Sequence, residues 1–321
     1  MKAVTHTFQD VELPRPAASG RDLLVKVEAI SVNPVDTKQR KMDSPAPRVL
    51  GWDAAGTVEA VGPEVSLFKP GDAVYYAGDV TRPGANSELH LVDERIVGSK
   101  PRRLDFAQAA ALPLTAITAW EAFFDRMKID LGGGDSGKSI LIIGGAGGVG
   151  SIGIQLARIA GLRVIATASR PESAAWAKEL GAEEIVDHRK DLAAQVTKPV
   201  DYIANFNDLD PHWAAMAQIV APQGSMVAIV GNTKPLPMDV VRSKSVTMCW
   251  ELMFTRPRFK TPDMIEQHRL LNQVAEWLDS GKLRGTLKET LTPINAANLR
   301  KAHEKLESGT MIGKLVLKGW S

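Results

Sequence analysis

From residue 1 to about residue 114 the apolar positions come in short runs with a period of two, the pattern of strands that bury one face. Asp22 to Ala29 (DLLVKVEA) and Ala54 to Val61 (AAGTVEAV) alternate in this way, and Ala73 to Tyr76 starts a third run after Gly71-Asp72. Pro14, Pro16, Pro45, Pro47, Pro63 and Pro70 punctuate the region. Each lacks a ladder donor and belongs in a turn or at an edge. From Leu112 the pattern changes to helix and then to strand alternating with helix, the signature of a parallel sheet. The predicted strands are Ser139–Ile143, Arg163–Ala168, Glu184–Val186, Val200–Ala204, Ser225–Val230 and Ser245–Glu251, and six strands suit a Rossmann unit. Asp263 to Ser280 reads as an amphipathic helix with Ile265, Leu270, Leu271, Val274, Trp277 and Leu278 near one face. Lys314–Lys318 is a C-terminal strand expected to return to the first domain.

Between the apolar run Ser139–Ile143 and a helical pattern beginning near Val149 lies a glycine turn. Gly145, Gly147 and Gly150 fit G-x-G-x-x-G. In that motif the first glycine permits a tight turn, the second lets the backbone approach a pyrophosphate, and the third lets helix pack against strand. The helix N-terminus then faces the phosphates. A strand before the motif and a helix after it favour dinucleotide binding over a bare structural turn. Gly132 to Ser139 (GGGDSGKS) matches a triphosphate-binding loop, G-x-x-x-x-G-K-S, but in the wrong context. It follows the helical pattern from Thr118 to Met127 and leads into a strand, so it reads as a polar connection.

At 321 residues the chain is long enough for two domains, and 44% hydrophobic with 24% charged residues is an ordinary globular composition. A net charge of +2, with no interleaving of basic and aromatic residues, argues against nucleic acid as partner. No run reaches the roughly 18 apolar residues of a membrane span, and the N-terminus has no signal-peptide core, so a cytoplasmic protein with no membrane partner is expected. The single cysteine, Cys249, excludes an internal disulfide and any zinc site built from several cysteines. The six histidines, at positions 6, 90, 188, 212, 268 and 303, lack metal-ligand spacing.

The motifs SVNPVDTK (31–38), GWDAAGTVEAVG (51–62), KPGDAVYY (69–76), AALPLTAITAWEAF (110–123) and GGAGGVG (144–150) together resemble the medium-chain dehydrogenase/reductase superfamily over essentially the whole chain. They are most similar to its quinone oxidoreductase, or zeta-crystallin-like, branch and to a subgroup labelled zinc-type alcohol dehydrogenase-like. The resemblance implies an α/β protein with a doubly wound parallel Rossmann sheet (residues 115–253) and a β-rich GroES-like domain (residues 1–114 and 254–321).

In the zinc-dependent members the metal is held by a cysteine of the first motif, a histidine of a Gly-His-Glu motif and a cysteine just before the Rossmann domain. By motif those positions are Asn33, Trp52 and approximately Leu114 here. A catalytic zinc needs three imidazole, thiolate or carboxylate donors, and Asp53 or Asp36 alone does not replace that set. Residues 77–101 contain no cysteine, so the structural zinc lobe is missing as well. The expectation is a zinc-independent enzyme.

An NAD enzyme of this fold usually carries an acidic residue about 20 positions beyond the glycine motif. Here Ser169 and Arg170 stand at that place, where a guanidinium suits the 2′-phosphate of NADPH; the alternative is a solvated loop arginine. His188 is either a second phosphate contact or an ordinary loop histidine. By resemblance the cofactor also meets Thr118, Gly147, Gly148, Val149, Val230 and Trp250, although Thr118 could equally bond its own helix backbone.

Without a metal, quinones and enones are the tractable acceptors, because their product anion is delocalised and hydrogen-bond donors suffice to stabilise it. Asn33 is the first candidate donor. Lys38 is either an electrostatic clamp or a surface lysine beside Arg40 and Lys41, and Asp36 reads as a helix N-terminal carboxylate. Trp52, Tyr75, Tyr76 and Glu251 are candidate pocket walls, with aromatics suited to a flat ring. Each aromatic could equally be core. The apolar edge strand Ser245 to Leu252 invites pairing, which the resemblance implies gives a homodimer. The reading is a zinc-independent NADPH-dependent reductase of quinones or α,β-unsaturated carbonyl compounds. A dedicated biosynthetic enone or enoyl reductase, or a nicotinamide-binding protein with little catalysis, remain as alternatives.

Overall fold

The computed structural model describes residues 1–320, and the chain divides into two compact units: residues 1–117 together with residues from 254 onward, and residues 118–253.

The second unit is built on one six-stranded parallel sheet in the order Glu184–Val186, Arg163–Thr167, Ser139–Ile143, Val200–Asn205, Val220–Ala228, Thr247–Trp250. The first strand in sequence lies in the middle, and the chain winds outward from it in both directions, which makes this a doubly wound Rossmann sheet. Ser139–Ile143 is buried at every position, as a strand covered on both faces must be. The strand expected at Ser225–Val230 starts earlier and ends earlier. Gln223, in a left-handed conformation at φ 62°, donates to Lys244 O at 2.6 Å and interrupts the ladder without ending it, so Pro222-Gln223-Gly224 mimics a turn in the sequence. The last strand is shorter than Ser245–Glu251 because Ser245 is also left-handed, at φ 53°. The helical pattern of Thr118–Met127 is in fact a regular helix Pro113–Trp120 followed by a wider π-helical turn Glu121–Arg126.

The glycine turn departs from the expected division of labour. The left-handed residue is Gly144 (φ 84°) rather than Gly145. A Cβ on Gly145 would lie 2.8 Å from Ala166 Cβ of the neighbouring strand, and one on Gly150 would lie 2.2 Å from Gly144 O. Gly145 and Gly150 are therefore fixed by packing, and Gly150 seats the helix Gly148–Ile159 on its own turn. A Cβ on Gly147 would meet only Gly144 O, at 3.4 Å, so this position faces open space. The GGGDSGKS segment is a chain of turns into the first strand. Asp130 accepts from Gly132 N and Gly134 N, and Lys138 is bound to Asp135 at 2.5 Å.

The first unit is a seven-stranded sheet, largely antiparallel, in which Asp22–Ser31 pairs with Ala54–Val61, Leu89–Asp93 and Lys314–Lys318. Its core gathers Leu23, Val25, Val27, Ile30, Val58, Val74, Leu315 and Leu317. The C-terminal strand sets Val316 opposite Ser31, so Lys314 is carried past the strand end to where the helix Pro34–Arg40 begins. The amphipathic helix spans Glu266–Asp279 and buries Leu270, Leu271, Val274, Trp277 and Leu278. No helix among the described residues is long and apolar enough to cross a membrane.

The glycine geometry separates two substitutions. Gly150→Ala should lower the thermal unfolding midpoint by roughly 10 °C or more, since a backbone clash must be relieved, whereas Gly147→Ala should leave it within about 2 °C of wild type in differential scanning calorimetry.

Candidate active site

The first unit brings together residues from four distant stretches of chain. Gly51, left-handed at φ 92°, has room for no Cβ because Asn86 Oδ1 would lie 2.2 Å away, and it turns the chain so that Trp52 and Asp53 both point inward. Asp53 Oδ1 accepts from Leu114 N at 3.0 Å, and Asp53 Oδ2 accepts from Asn33 Nδ2 at 3.0 Å. Lys314 Nζ donates to Asp53 Oδ2 at 3.1 Å, to Asn33 Oδ1 at 2.6 Å and to Val32 O at 2.9 Å. Asp36 closes a reciprocal cap on its own helix, with Oδ2 accepting from Asn33 N at 2.7 Å. All four of these side chains are buried: Asn33 is 2% exposed, Asp36 1%, Asp53 0% and Lys314 3%.

Burial pushes the Asp36 carboxyl up to about 7, against the pull of the Asn33 N–H and the Lys314 ammonium. Burial raises Asp53 too, opposed first by Lys314 and then by the Asn33 amide. Asp53 has three donors, one of them a cation, while Asp36 has one backbone donor and an Oδ1 that is buried without a partner. The negative charge therefore belongs on Asp53 and the proton on Asp36.

The three positions that the motifs align with zinc ligands do converge, since Asp53 joins Asn33 to the Leu114 backbone and Trp52 is the next residue. Their chemistry is wrong for the metal. Around Asp53 stand an amide, a backbone N–H and an ammonium, and among the described residues no three His, Cys, Asp or Glu side chains cluster as a metal site. Asn33 Oδ1 and Asp53 Oδ2 already accept from Lys314, so a divalent cation there would sit against an ammonium. The residues do not fit zinc.

Several expectations need correction. Lys38 is exposed, and the ammonium at Asn33 is that of Lys314. The Asn33 amide is not a free donor, because its Nδ2 is committed to Asp53 and to Ser31 O. Asp36 does stand in the first turn of its helix, as expected, and its carboxyl is buried there. Tyr75 is core: it is fully buried, and its hydroxyl donates to Leu271 O at 2.6 Å. Tyr76 is equally buried and pairs with His90 Nδ1 at 3.0 Å. Trp52 is buried with Phe254 edge-on at 6.1 Å, and its indole Nε1 makes no hydrogen bond.

In the second unit, Glu251 is 2% exposed and is held by Arg126 Nε at 2.8 Å, so it is a buried ionic contact rather than an open wall. Burial and the neighbouring Glu121 carboxyl push Glu251 well up. Thr118 is buried within its helix, Val230 is half-buried after the fifth sheet strand, and Trp250 is 46% exposed on the edge strand. Gly147, Gly148, Val149 and Gly150 form the turn and first helical residues described above. At the ends of the second and third strands Ser169, Arg170 and His188 come together with Arg189, which the sequence reading missed. Arg189 Nη2 donates to Ser169 O, and Arg189 Nε pairs with Asp187 at 3.2 Å. Burial holds His188 below its usual range and so neutral, with Asp187 opposing and Arg189 and Arg170 reinforcing the shift.

Two family models match the chain: an alcohol dehydrogenase GroES-like domain over residues 19–102 and a zinc-binding dehydrogenase over residues 180–317. A zinc-type alcohol dehydrogenase-like protein of Staphylococcus aureus (strain COL) is 45% identical over 97% of this chain and 94% of its own. A quinone oxidoreductase of Pseudomonas aeruginosa is 33% identical over 94% and 93%. Among solved structures, a Rhizobium etli CFN 42 protein bearing a zinc-dependent alcohol dehydrogenase label superposes with a TM-score of 0.95 at 52% identity, over 100% of this chain and 98% of that one. The Escherichia coli quinone oxidoreductase complexed with NADPH superposes with a TM-score of 0.83 at 25% identity, over 97% and 95%.

Because the folded protein holds a proton on Asp36 that the unfolded chain releases above the ordinary carboxyl range, the contribution of this group is fully present below pH 3.8 and is lost as pH rises to about 7. The unfolding free energy of wild type minus that of Asp36→Asn should therefore fall by roughly 3 kcal/mol between pH 4 and pH 7 and level off above pH 8, measured by urea denaturation.

Proposed function

Since this chain belongs to the medium-chain dehydrogenase/reductase superfamily of oxidoreductases, whose members bind a nicotinamide cofactor, we propose that it is a zinc-independent, NADPH-dependent reductase of quinones or other α,β-unsaturated carbonyl compounds. The observation that carries the reading is the Lys314–Asp53–Asn33 network, which sets an internal ammonium against the residues aligned with the metal ligands. Hydride transfer leaves negative charge on the acceptor oxygen, and a simple ketone gives a localised alkoxide that calls for a Lewis acid. A quinone or enone gives a hydroquinone anion or an enolate, which spreads the charge. Such an acceptor matches a donor set that does not fit a metal.

The cofactor preference rests on Arg170 and Arg189 beside Ser169, where a guanidinium pair favours a 2′-phosphate and no carboxylate occupies the ribose position. A homodimer through the last sheet strand is supported by that strand being an edge that exposes Trp250 and Leu252. A cytoplasmic location follows from the same reading of a metabolite reductase.

The test is NADPH oxidation with a quinone and a simple enone, with a strong chelator present throughout. Turnover should be unchanged by the chelator. Arg170→Ala and Arg189→Ala should each lower the preference for NADPH over NADH, as the ratio of kcat/KM values, by about tenfold to a hundredfold. Turnover that disappears with the chelator and returns with zinc would refute the reading, and NADPH binding without turnover of any activated alkene would favour a binding protein.

A further inference from the structure

The first unit contains a cavity of about 290 Å³ that shares no residue with the Lys314–Asp53–Asn33 group. It forms where Asp22, at the start of the strand Asp22–Ser31, pairs with Asp93 at the end of Leu89–Asp93, and Pro257 and Lys260, from the short helix Thr255–Phe259 and its end, also line it. Leu91, Val92, Ile96, Pro257 and Met264 give it an apolar lining. Of these, Val92, Ile96 and Met264 belong to the hydrophobic core of the unit.

Arg21, Arg82, Arg95 and Lys260 supply its cations, and carboxylates orient the three guanidiniums. Arg82 pairs two-pronged with Asp22, Nη1 to Oδ1 at 2.8 Å and Nη2 to Oδ2 at 2.9 Å. Arg95 holds Asp93 in the same way, through Nε at 2.9 Å and Nη2 at 2.7 Å, and Arg21 Nη1 donates to the buried Glu94 at 2.7 Å. Such forks fix the guanidinium planes before any ligand arrives. They also leave donors over: Arg21 Nε and Nη2, Arg82 Nε and Arg95 Nη1 have no acceptor among the described residues. The lining carboxylates have less to offer, since both oxygens of Asp22 and of Asp93 are engaged. Asp79 gives Oδ1 to Thr81 N and Oγ1, and its charge is felt by Arg82.

Lys260 is the lining cation with no carboxylate partner among the described residues. Its backbone is held at a cost as well. It ends its helix in the left-handed region, at φ 47°, where glycine is the usual residue, and it is exposed.

This lining discriminates between ligand classes. A bare phosphate would meet the donors and leave the apolar lining wet, and an uncharged apolar molecule would leave the Lys260 ammonium without a counter-charge. A carboxylate on a compact apolar body satisfies both. At about 30 Å³ per group, the cavity takes on the order of ten non-hydrogen atoms.

We infer that the first unit carries a binding site for a small organic carboxylate with an apolar body, the carboxylate taken by Lys260 and the spare guanidinium N–H groups and the body seated on Val92, Ile96 and Met264. The site stands apart from the reductase reading, because binding here involves neither hydride nor nicotinamide.

Benzoate serves as the probe. Isothermal titration of the full chain at low ionic strength should give a dissociation constant on the order of a millimolar. Acetate, which lacks the apolar body, and benzamide, which lacks the charge, should each bind at least about tenfold more weakly. Lys260→Gly removes the ammonium and relieves the left-handed backbone, so benzoate should weaken about tenfold while the thermal unfolding midpoint stays at or above that of wild type. Ser19→Trp, at an exposed lining residue, should fill the cavity and abolish binding. Benzoate affinity unchanged in either variant would overturn the proposal. So would the absence of benzoate binding to wild type, or inorganic phosphate binding as tightly as benzoate.

Discussion

The ammonium of Lys314 is the charge on which the first unit depends. It comes from the C-terminal strand, crosses to a residue 281 positions earlier, and among the described residues supplies the one cation bonded within the buried group of Asp53, Asp36 and Asn33. Removing one partner of a buried pair typically costs about 3–5 kcal/mol, because the other is left charged without compensation. The strand pairing of Val316 with Ser31 brings Lys314 to that point and joins the C-terminal strand to the sheet. Architecture and electrostatics are one constraint here: the return of the chain is what permits two carboxyls to be buried at the start of a short helix.

The same constraint decides what chemistry this unit can host. Asn33, Trp52 and Leu114 are the positions that the motifs align with zinc ligands, and Asp53 ties the first and last of these together. With an ammonium covalently anchored among them, the positive charge is fixed and cannot exchange, act as an open Lewis acid or take a substrate oxygen into its coordination shell. What it can do is bias protons. Asp36 is the group that feels this bias with an oxygen to spare.

Much of the fold was legible in sequence because it is dictated locally. Ser139–Ile143 is apolar throughout since it is covered on both faces, Ala54–Val61 alternates since one face is buried, and Gly145, Gly147 and Gly150 recur where backbones crowd or a ligand needs room. Pro222-Gln223-Gly224 misled because a left-handed residue inside a strand has the composition of a turn. The candidate site was legible by half. The motifs lead to Asn33, Trp52 and the absent ligands; of the two readings of Lys38, clamp or surface lysine, the structure shows the exposed one, and the cation at Asn33 is Lys314, which is close only in space. No local signal distinguishes Lys314 from the other lysines of the chain, and nothing in SVNPVDTK tells that Asp36 faces inward. Arg189 adjoins His188 and was within reach of the same argument that singled out Arg170.

The central claim is that an internal ammonium occupies the donor set at the positions that the motifs align with zinc ligands, and the zinc content of the protein tests it most directly. The full chain should be equilibrated with excess zinc at neutral pH, dialysed extensively, and its metal measured by inductively coupled plasma mass spectrometry beside Lys314→Met and Asp53→Asn. The account predicts far less than one zinc per chain in wild type and no difference that depends on Asp53. One retained zinc per wild-type chain, lost in Asp53→Asn, would contradict it.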